Sequence, residues 1–203
     1  MYLSKLELDI QSPSVRQALR DCQDMHRNLM RAFDGNRREV QMLYRLVKRD
    51  YGIYVYVQSA AEPQWNRIKD KGCTCIQMQD VSALLDMFQK DSIFRFSVLA
   101  CPSKKIRRDG GNSRRVIIRK EDKRIEWLER QAERHGFSIL EAHESANEER
   151  LYGNKNNREF FLSGVPFEGI LRITNADVFR HDFPLGIGAE KAYGFGLLMI
   201  GKV

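Results

Sequence analysis

The stretch that most constrains this chain lies near its C-terminus: Pro184-Leu-Gly-Ile-Gly-Ala-Glu-Lys-Ala-Tyr-Gly-Phe-Gly-Leu-Leu-Met199. Gly186, Gly188, Gly194 and Gly196 crowd eleven residues, with Lys191 and Tyr193 between them. A backbone uses glycine where φ must be positive or where another segment comes too close for a Cβ. The run therefore demands a tight turn feeding a last strand, or a loop pressed against a neighbour. Successive N–H groups beside a lysine also suit a phosphate, which makes Gly186, Gly188, Gly194 and Lys191 candidate ligand contacts. A P-loop is excluded because no Gly-Lys-Ser/Thr follows at the required spacing. A dinucleotide fingerprint is excluded because too little chain follows for a βαβ unit.

With 203 residues, of which 42% are hydrophobic and 10% aromatic, the chain can bury one large domain or two small ones. Thirty-four Lys and Arg against twenty-seven Asp and Glu leave a net charge of +7, which favours a polyanionic partner. Cys22, Cys73, Cys75 and Cys101 contain no Cys-x-x-Cys and do not read as a zinc site. No signal peptide and no apolar run of about 18 residues occurs, so a soluble, cytoplasmic protein with no membrane partner is expected.

Hydrophobic periodicity divides the chain into two similar halves. Tyr2 to Ile10 alternates as a half-buried strand. Ser12-Pro13-Ser14 starts a helical stretch that runs to Phe33 with a break near Asp21, its stripe formed by Cys22, Met25, Leu29 and Phe33. Met42–Val47 and Ile53–Gln58 read as a hairpin, Val81–Phe88 as a short helix and Ile93–Cys101 as a strand, with an optional extra strand over Gly72–Met78. The order is that of a ferredoxin-like unit. The second half repeats it: a strand at Arg115–Arg119, a helix at Glu121–His135 stopped by Gly136, and a strand at Phe137–Ala142. A polar hairpin from Asn147 to Phe161 follows, then a strand at Val165–Ile173, a helix at Asn175–Phe179 and a last strand at Leu197–Val203. The expected fold class is α+β, two tandem ferredoxin-like (RRM-like) domains with antiparallel sheets, spanning 1–101 and 115–203 with a basic linker at 102–114.

That linker carries Lys104, Lys105, Arg107, Arg108, Arg114 and Arg115 against one acid, Asp109, with Gly110-Gly111 as a break. A basic segment between two such sheets suits a phosphate backbone. Neither half contains the aromatic RNP1 consensus, so recognition of a folded RNA by phosphate and shape is expected over base stacking on a sheet.

Four histidines are available for chemistry. His26 lies one residue off the apolar stripe, with Arg27 and Arg31 close enough in sequence to place cationic charge near a phosphate. His135 precedes a helix-stopping glycine, where a cation complements the dipole. His143 lies at a strand end and reads as surface. His181, beside Arg180 and just before the Gly-rich run, reads as an RNA contact.

The opening Met1-Tyr-Leu-Ser-Lys-Leu-Glu-Leu8, the segment Met25-His-Arg-Asn-Leu-Met-Arg-Ala-Phe33 and the run Gly186-Ile-Gly-Ala-Glu-Lys-Ala-Tyr-Gly-Phe-Gly-Leu-Leu198 resemble the CRISPR-associated endoribonuclease of type I-E systems, the CasE family. The resemblance covers the whole chain. It implies an enzyme that cuts precursor CRISPR RNA at the base of each repeat hairpin, needs no metal or other cofactor, and stays on the mature crRNA among the other subunits of Cascade. It carries the catalytic role to His26. A tyrosine found in family members one turn earlier is Gln23 here, and a lysine a few residues later is Arg31, which keeps the charge. The hairpin from Arg150 to Arg158, with Lys155 at its tip, resembles the basic hairpin that engages the stem-loop. Arg158 and Lys191 are then candidates for stabilising charge at the cleaved phosphate. A scaffold that holds the hairpin without cutting it is the alternative.

The residue types agree with that chemistry. A metal-dependent nuclease needs clustered carboxylates, and no Asp-x-Asp or comparable acidic run stands out. RNA brings its own nucleophile, the 2′-OH, so acid–base help and charge at phosphorus suffice. Cleavage of a labelled repeat hairpin is therefore expected to persist in excess EDTA. An absolute requirement for added divalent ion would contradict this.

Overall fold

The structure, a computed structural model, describes residues 1–107 and 113–203. The first half folds as the alternation requires. β1 (Tyr2–Leu8) turns Leu6 and Leu8 inward. Pro13 sits in the first turn of α1 (Pro13–Arg20), where its missing N–H costs nothing. Asp21 then leaves helical geometry at φ −132°, and its carboxylate caps α2 (Cys22–Met30) by accepting from the Gln23 N–H at 2.8 Å. A short α3 (Arg37–Val40) follows, then β2 (Leu43–Arg49), β3 (Gly52–Ser59), a 3-10 turn at Trp65–Lys71 and β4 (Cys73–Asp80). The strands pair antiparallel in the order β2-β3-β1-β4. Their inner face meets Met25 and Leu29 of α2 in a core closed by Trp65, whose indole N–H donates to Ser4 Oγ at 2.9 Å.

The second half repeats that order. β5 (Ile93–Ala100) is followed by β6 (Ser103–Arg107) and β7 (Ser113–Ile117), α4 (Glu121–Arg134), β8 (Phe137–Glu144), β9 (Glu149–Lys155), β10 (Arg158–Ile173), α5 (Ala176–Asp182) and β11 (Met199–Gly201). Its sheet runs β11-β5-β10-β8. Counted from the first strand of each unit, both sheets read 4-1-3-2, the antiparallel order of a ferredoxin-like fold. The second core is aromatic: Phe88 packs edge-on against Phe94, Phe179 and Phe183 at 5.7, 4.9 and 5.0 Å. Among the described residues no helix is long and apolar enough to cross a membrane.

Four expectations need correction. The segment read as an optional extra strand, β4, is the fourth strand of the first sheet. The strand assigned to close that sheet, β5, instead pairs with β10 and β11 and opens the second. Alternation announces a strand without saying which sheet takes it. Here packing decides, because Phe94, Phe96 and Val98 on β5 match the aromatic second core. The chain therefore changes sheets between β4 and β5, ahead of the 102–114 boundary. That segment is not a linker between sheets: β6 and β7 pair antiparallel from Ser103 against Ile117 to Arg107 against Ser113. Arg108 and Gly110-Gly111 lie outside the described residues, as does the Arg107 side chain. The helix expected at Val81–Phe88 is a 3-10 turn, Ser82–Met87.

The Gly-rich run lies between the two units. Gly196 N–H donates to Leu99 O of β5, and Gln58 of β3 donates to Pro184 O at 3.1 Å. Gly194 takes φ +91° with the Tyr44 ring 3.1 Å from where a Cβ would stand. A β-branched side chain there meets both a strained dihedral and an aromatic wall. Gly194→Val is expected to cost about 1–3 kcal/mol, lowering the melting temperature by several degrees. An unchanged melting curve would show that this approach is not constrained.

Candidate active site and nucleic-acid interface

α2 is held from two sides, and this aims His26. Asp21 caps the helix through one carboxylate oxygen and accepts from the Asn154 N–H of β9 through the other at 3.2 Å. The Tyr44 hydroxyl reaches Cys22 O at 3.4 Å. The buried stripe of Cys22, Met25 and Leu29 leaves His26 half-buried at its edge. Its Nδ1 is buried with no hydrogen-bond partner among the described residues. Burial lowers the pKa from 6.5, and the Arg37 guanidinium pushes the same way by like-charge repulsion. The ring is thus a neutral imidazole near pH 7, the form that accepts a proton.

The Gly-rich run supplies the facing groups. Its N–H groups at Gly186, Ile187, Tyr193 and Gly196 all donate inside the protein, to carbonyls of Asp182 and Phe183, Gly196, Glu190 and Leu99. Gly186 and Gly194 are buried. The Gly186 N–H is therefore taken inside the protein. Gly188 is half-buried and lines a surface groove. Lys191 Nζ donates to the carbonyls of Leu185 and Gly186 at 2.8 and 2.7 Å, which ties the loop to itself and leaves one ammonium proton free of those two bonds. Burial lowers the Lys191 pKa, Asp182 opposes that shift, and Arg37 reinforces it. Two residues on, the Tyr193 hydroxyl donates to Gln23 Oε1 at 3.0 Å. The loop thereby delivers a phenol from the second unit to the residue one turn before His26.

The other expected residues fall into three groups. Arg31 lies roughly 140° around α2 from His26 by helical spacing. It shares a shallow groove with Arg27, Asp24 and Lys71, and Arg27 pairs with Asp24 at 3.1 Å. The hairpin β9–β10 closes through Asn156 and Asn157, both at positive φ (54° and 59°), the signature of a two-residue type I′ turn. Lys155 and Arg158 face each other beside that turn and are exposed, while Arg150 lies 5.9 Å over the Phe161 ring. Lys104 and Lys105 of β6 line a groove of about 580 Å³ with Arg115, Arg130 and Arg134, and no carboxylate lines it. Gly188 also lines it. His181 stands apart on α5, exposed, with Nδ1 2.6 Å from Asp182. Among the described residues no group of His, Cys, Asp and Glu is placed to hold a metal ion.

A family model described as "CRISPR associated protein" matches residues 1–202. The chain belongs to that family. It is 27% identical over 216 residues, 98% of this chain and 99% of the relative, to the CRISPR-associated endoribonuclease Cse3 of Thermus thermophilus. The structure of Thermus thermophilus Cse3 bound to an RNA representing a pre-cleavage complex superposes with a TM-score of 0.85, at 25% identity over 98% of both chains. Cas6e from Escherichia coli superposes at 0.76, with 26% identity over all of both chains. Family membership thus agrees with the resemblance read from the sequence, and the tandem fold is shared from end to end.

Sequence reasoning passed over Arg37, whose charge acts on His26, Lys191 and Tyr193. Its signal was present: Asn36-x-x-Glu39 is a capping box. Asn36 Oδ1 accepts from the Arg38 N–H at 2.9 Å, and Glu39 Oε2 accepts from the Asn36 N–H at 2.9 Å, which fixes Arg37 at the first turn of α3. It passed over Arg130 and Arg134 too, which share a face of α4 at i, i+4 spacing. Removing the Arg37 charge favours the imidazolium, so Arg37→Ala is expected to raise the His26 titration midpoint towards 6.5. A ring-proton NMR titration checks the sign; an unchanged or lowered midpoint would contradict it.

Proposed function

We propose that the chain is a metal-independent endoribonuclease that cuts precursor CRISPR RNA at the base of its repeat hairpin and then stays on the mature crRNA, in the cytoplasm, with the other Cascade subunits. The observation that carries this reading is His26. It is a neutral, half-buried imidazole on a helix clamped from both sides, within reach of the Arg37 charge and one turn from Gln23, the residue that bonds the Gly-rich loop. The family match and the likeness to a relative named as an endoribonuclease, solved with a pre-cleavage RNA, support it.

The chemistry follows from what RNA supplies. His26 takes the proton of the 2′-OH as that oxygen attacks the adjacent phosphorus. The new 2′O–P bond forms as the P–O5′ bond breaks, and the leaving 5′-oxygen takes a proton from solvent water. The upstream fragment ends in a 2′,3′-cyclic phosphate and the downstream one begins with a 5′-OH. Lys191 and Arg37 supply positive field where charge accumulates on the phosphate. The groove of Lys104, Lys105, Arg115, Arg130 and Arg134 holds the duplex backbone, with the β9–β10 hairpin, Arg150, Lys155 and Arg158 on another side of the stem. Arg27 and Arg31, on their separate face of α2, take flanking phosphates. His181, already committed to Asp182, contributes binding only.

His26→Ala is expected to lower the single-turnover rate by about 10²–10⁴, the usual range for a general acid–base residue, with little change in affinity for the hairpin. His181→Ala is expected to weaken binding at a near-normal saturated rate. Cleavage at the parent rate by His26→Ala would assign the chemistry elsewhere, and a parent protein that binds without cutting would favour the scaffold reading.

A further inference from the structure

Gln23 and His26 are separated by three residues on α2, so their side chains are neighbours one turn apart. The Gln23 carboxamide is not free to choose its orientation. Its oxygen accepts from the Tyr193 hydroxyl at 3.0 Å, a bond between residues 170 positions apart in the chain. Tyr193 is itself fixed. Its ring packs at 5.5 Å and a 53° tilt against Phe160 of β10, and its neighbour Gly194 is seated against Tyr44. A carboxamide has one acceptor end and one donor end. With the oxygen turned to the phenol, the NH2 turns away from it, and among the described residues no acceptor engages those protons.

Burial, first, and the neighbouring Cys22 raise the Tyr193 pKa above that of a free phenol. The hydroxyl therefore remains a protonated donor at neutral pH and keeps the carboxamide oxygen as its acceptor.

Given the cleavage reading above, on which this rests, we propose that Gln23 donates its carboxamide N–H to a non-bridging oxygen of the scissile phosphate, and that Tyr193 is the positioning residue that keeps the donor end facing the RNA. A neutral donor suits this place. Charge grows on the non-bridging oxygens as the 2′-oxygen attacks, and a preoriented N–H stabilises it most at that moment. The Tyr193 bond carries the orientation from the second unit into the active centre of the first, so docking of the Gly-rich loop sets the geometry beside His26.

Saturated single-turnover rates on a CRISPR repeat hairpin RNA test the pair, with affinity and melting temperature measured alongside. Gln23→Ala is expected to lower the rate about 10²–10³-fold, as loss of one preorganised donor does. Tyr193→Phe is expected to lower it roughly 3- to 10-fold, the worth of one neutral hydrogen bond. The double variant should match Gln23→Ala alone, because the phenol acts only through the carboxamide. Gln23→Glu keeps an acceptor for Tyr193 but presents oxygen to the phosphate, and should fall at least as far as Gln23→Ala. Multiplying losses in the double variant, a parent rate for Gln23→Glu, or weaker binding with an unchanged saturated rate would each overturn the proposal. If Tyr193→Phe fails to fold, the Gln23→Ala and Gln23→Glu rates still decide the donor role. His26→Ala serves as the control: parent-rate cleavage by that variant fails the site as a whole, whereas a dead His26→Ala beside parent-rate Gln23 variants fails this inference alone.

Discussion

The close approach of the Gly186–Gly196 backbone to the first sheet is the constraint on which the rest of the structure depends. Gly186 takes φ +70°, and a Cβ there would stand 2.6 Å from Gly196 O and 2.7 Å from Leu43 Cδ1. Gly194 is seated on Tyr44, whose ring would stand 3.1 Å from a Cβ there. The Gly196 carbonyl is backbone and cannot rotate away, while the Leu43 methyl groups and the Tyr44 ring are the side chains of β2 on which the loop is seated. The glycines let one loop touch β2 and β3 of the first unit while remaining bonded to β5 of the second. Arg45 of β2 adds a direct tie, donating to Ser97 Oγ of β5 at 2.6 Å.

The candidate active site is a by-product of that joint. Neither unit holds it alone: His26, Gln23 and Arg37 come from the first, Lys191 and Tyr193 from the second. Burial works differently on these groups. For His26 it favours the neutral base. Lys191 is also pushed towards neutrality, but it spends two N–H bonds on loop carbonyls and feels Asp182, both of which favour the ammonium. An imidazole that starts near 6.5 needs only a small push to be neutral at pH 7, whereas a lysine starting at 10.5 keeps its charge under a push of similar kind. Base and cation can therefore coexist within one site.

Much of this was legible in the residues. The break at Asp21, the hairpin turn at Asn156-Asn157 and the stop at Gly136 are local chemistry, and the sequence reading anticipated each at or near its place. What stayed hidden depends on packing between distant segments. No local pattern tells β5 that its partners are β10 and β11, since a strand with Phe94, Phe96 and Val98 inward fits either core by periodicity. The Gly-rich run looked like a phosphate cradle because glycine next to lysine is ambiguous. The observed N–H partners show that packing takes the N–H groups of Gly186, Ile187, Tyr193 and Gly196. The Tyr193–Gln23 bond lies wholly beyond local reasoning, although both residues stood out on other grounds. Arg37 was missed because the Asn36-x-x-Glu39 capping box announces a helix start without saying which site the arginine beside it faces.

The central claim is that the RNA attacks itself, with the protein holding a neutral imidazole beside the reacting 2′-oxygen. The most direct measurement replaces that one hydroxyl by hydrogen at the nucleotide preceding the scissile phosphate and follows both binding and cleavage. Binding at parent affinity with no detectable product, for the same protein that cuts the all-ribose hairpin, is the predicted result. Cleavage of the deoxy-substituted hairpin at the same phosphate would contradict the account, because the nucleophile would then have to come from water or from the protein.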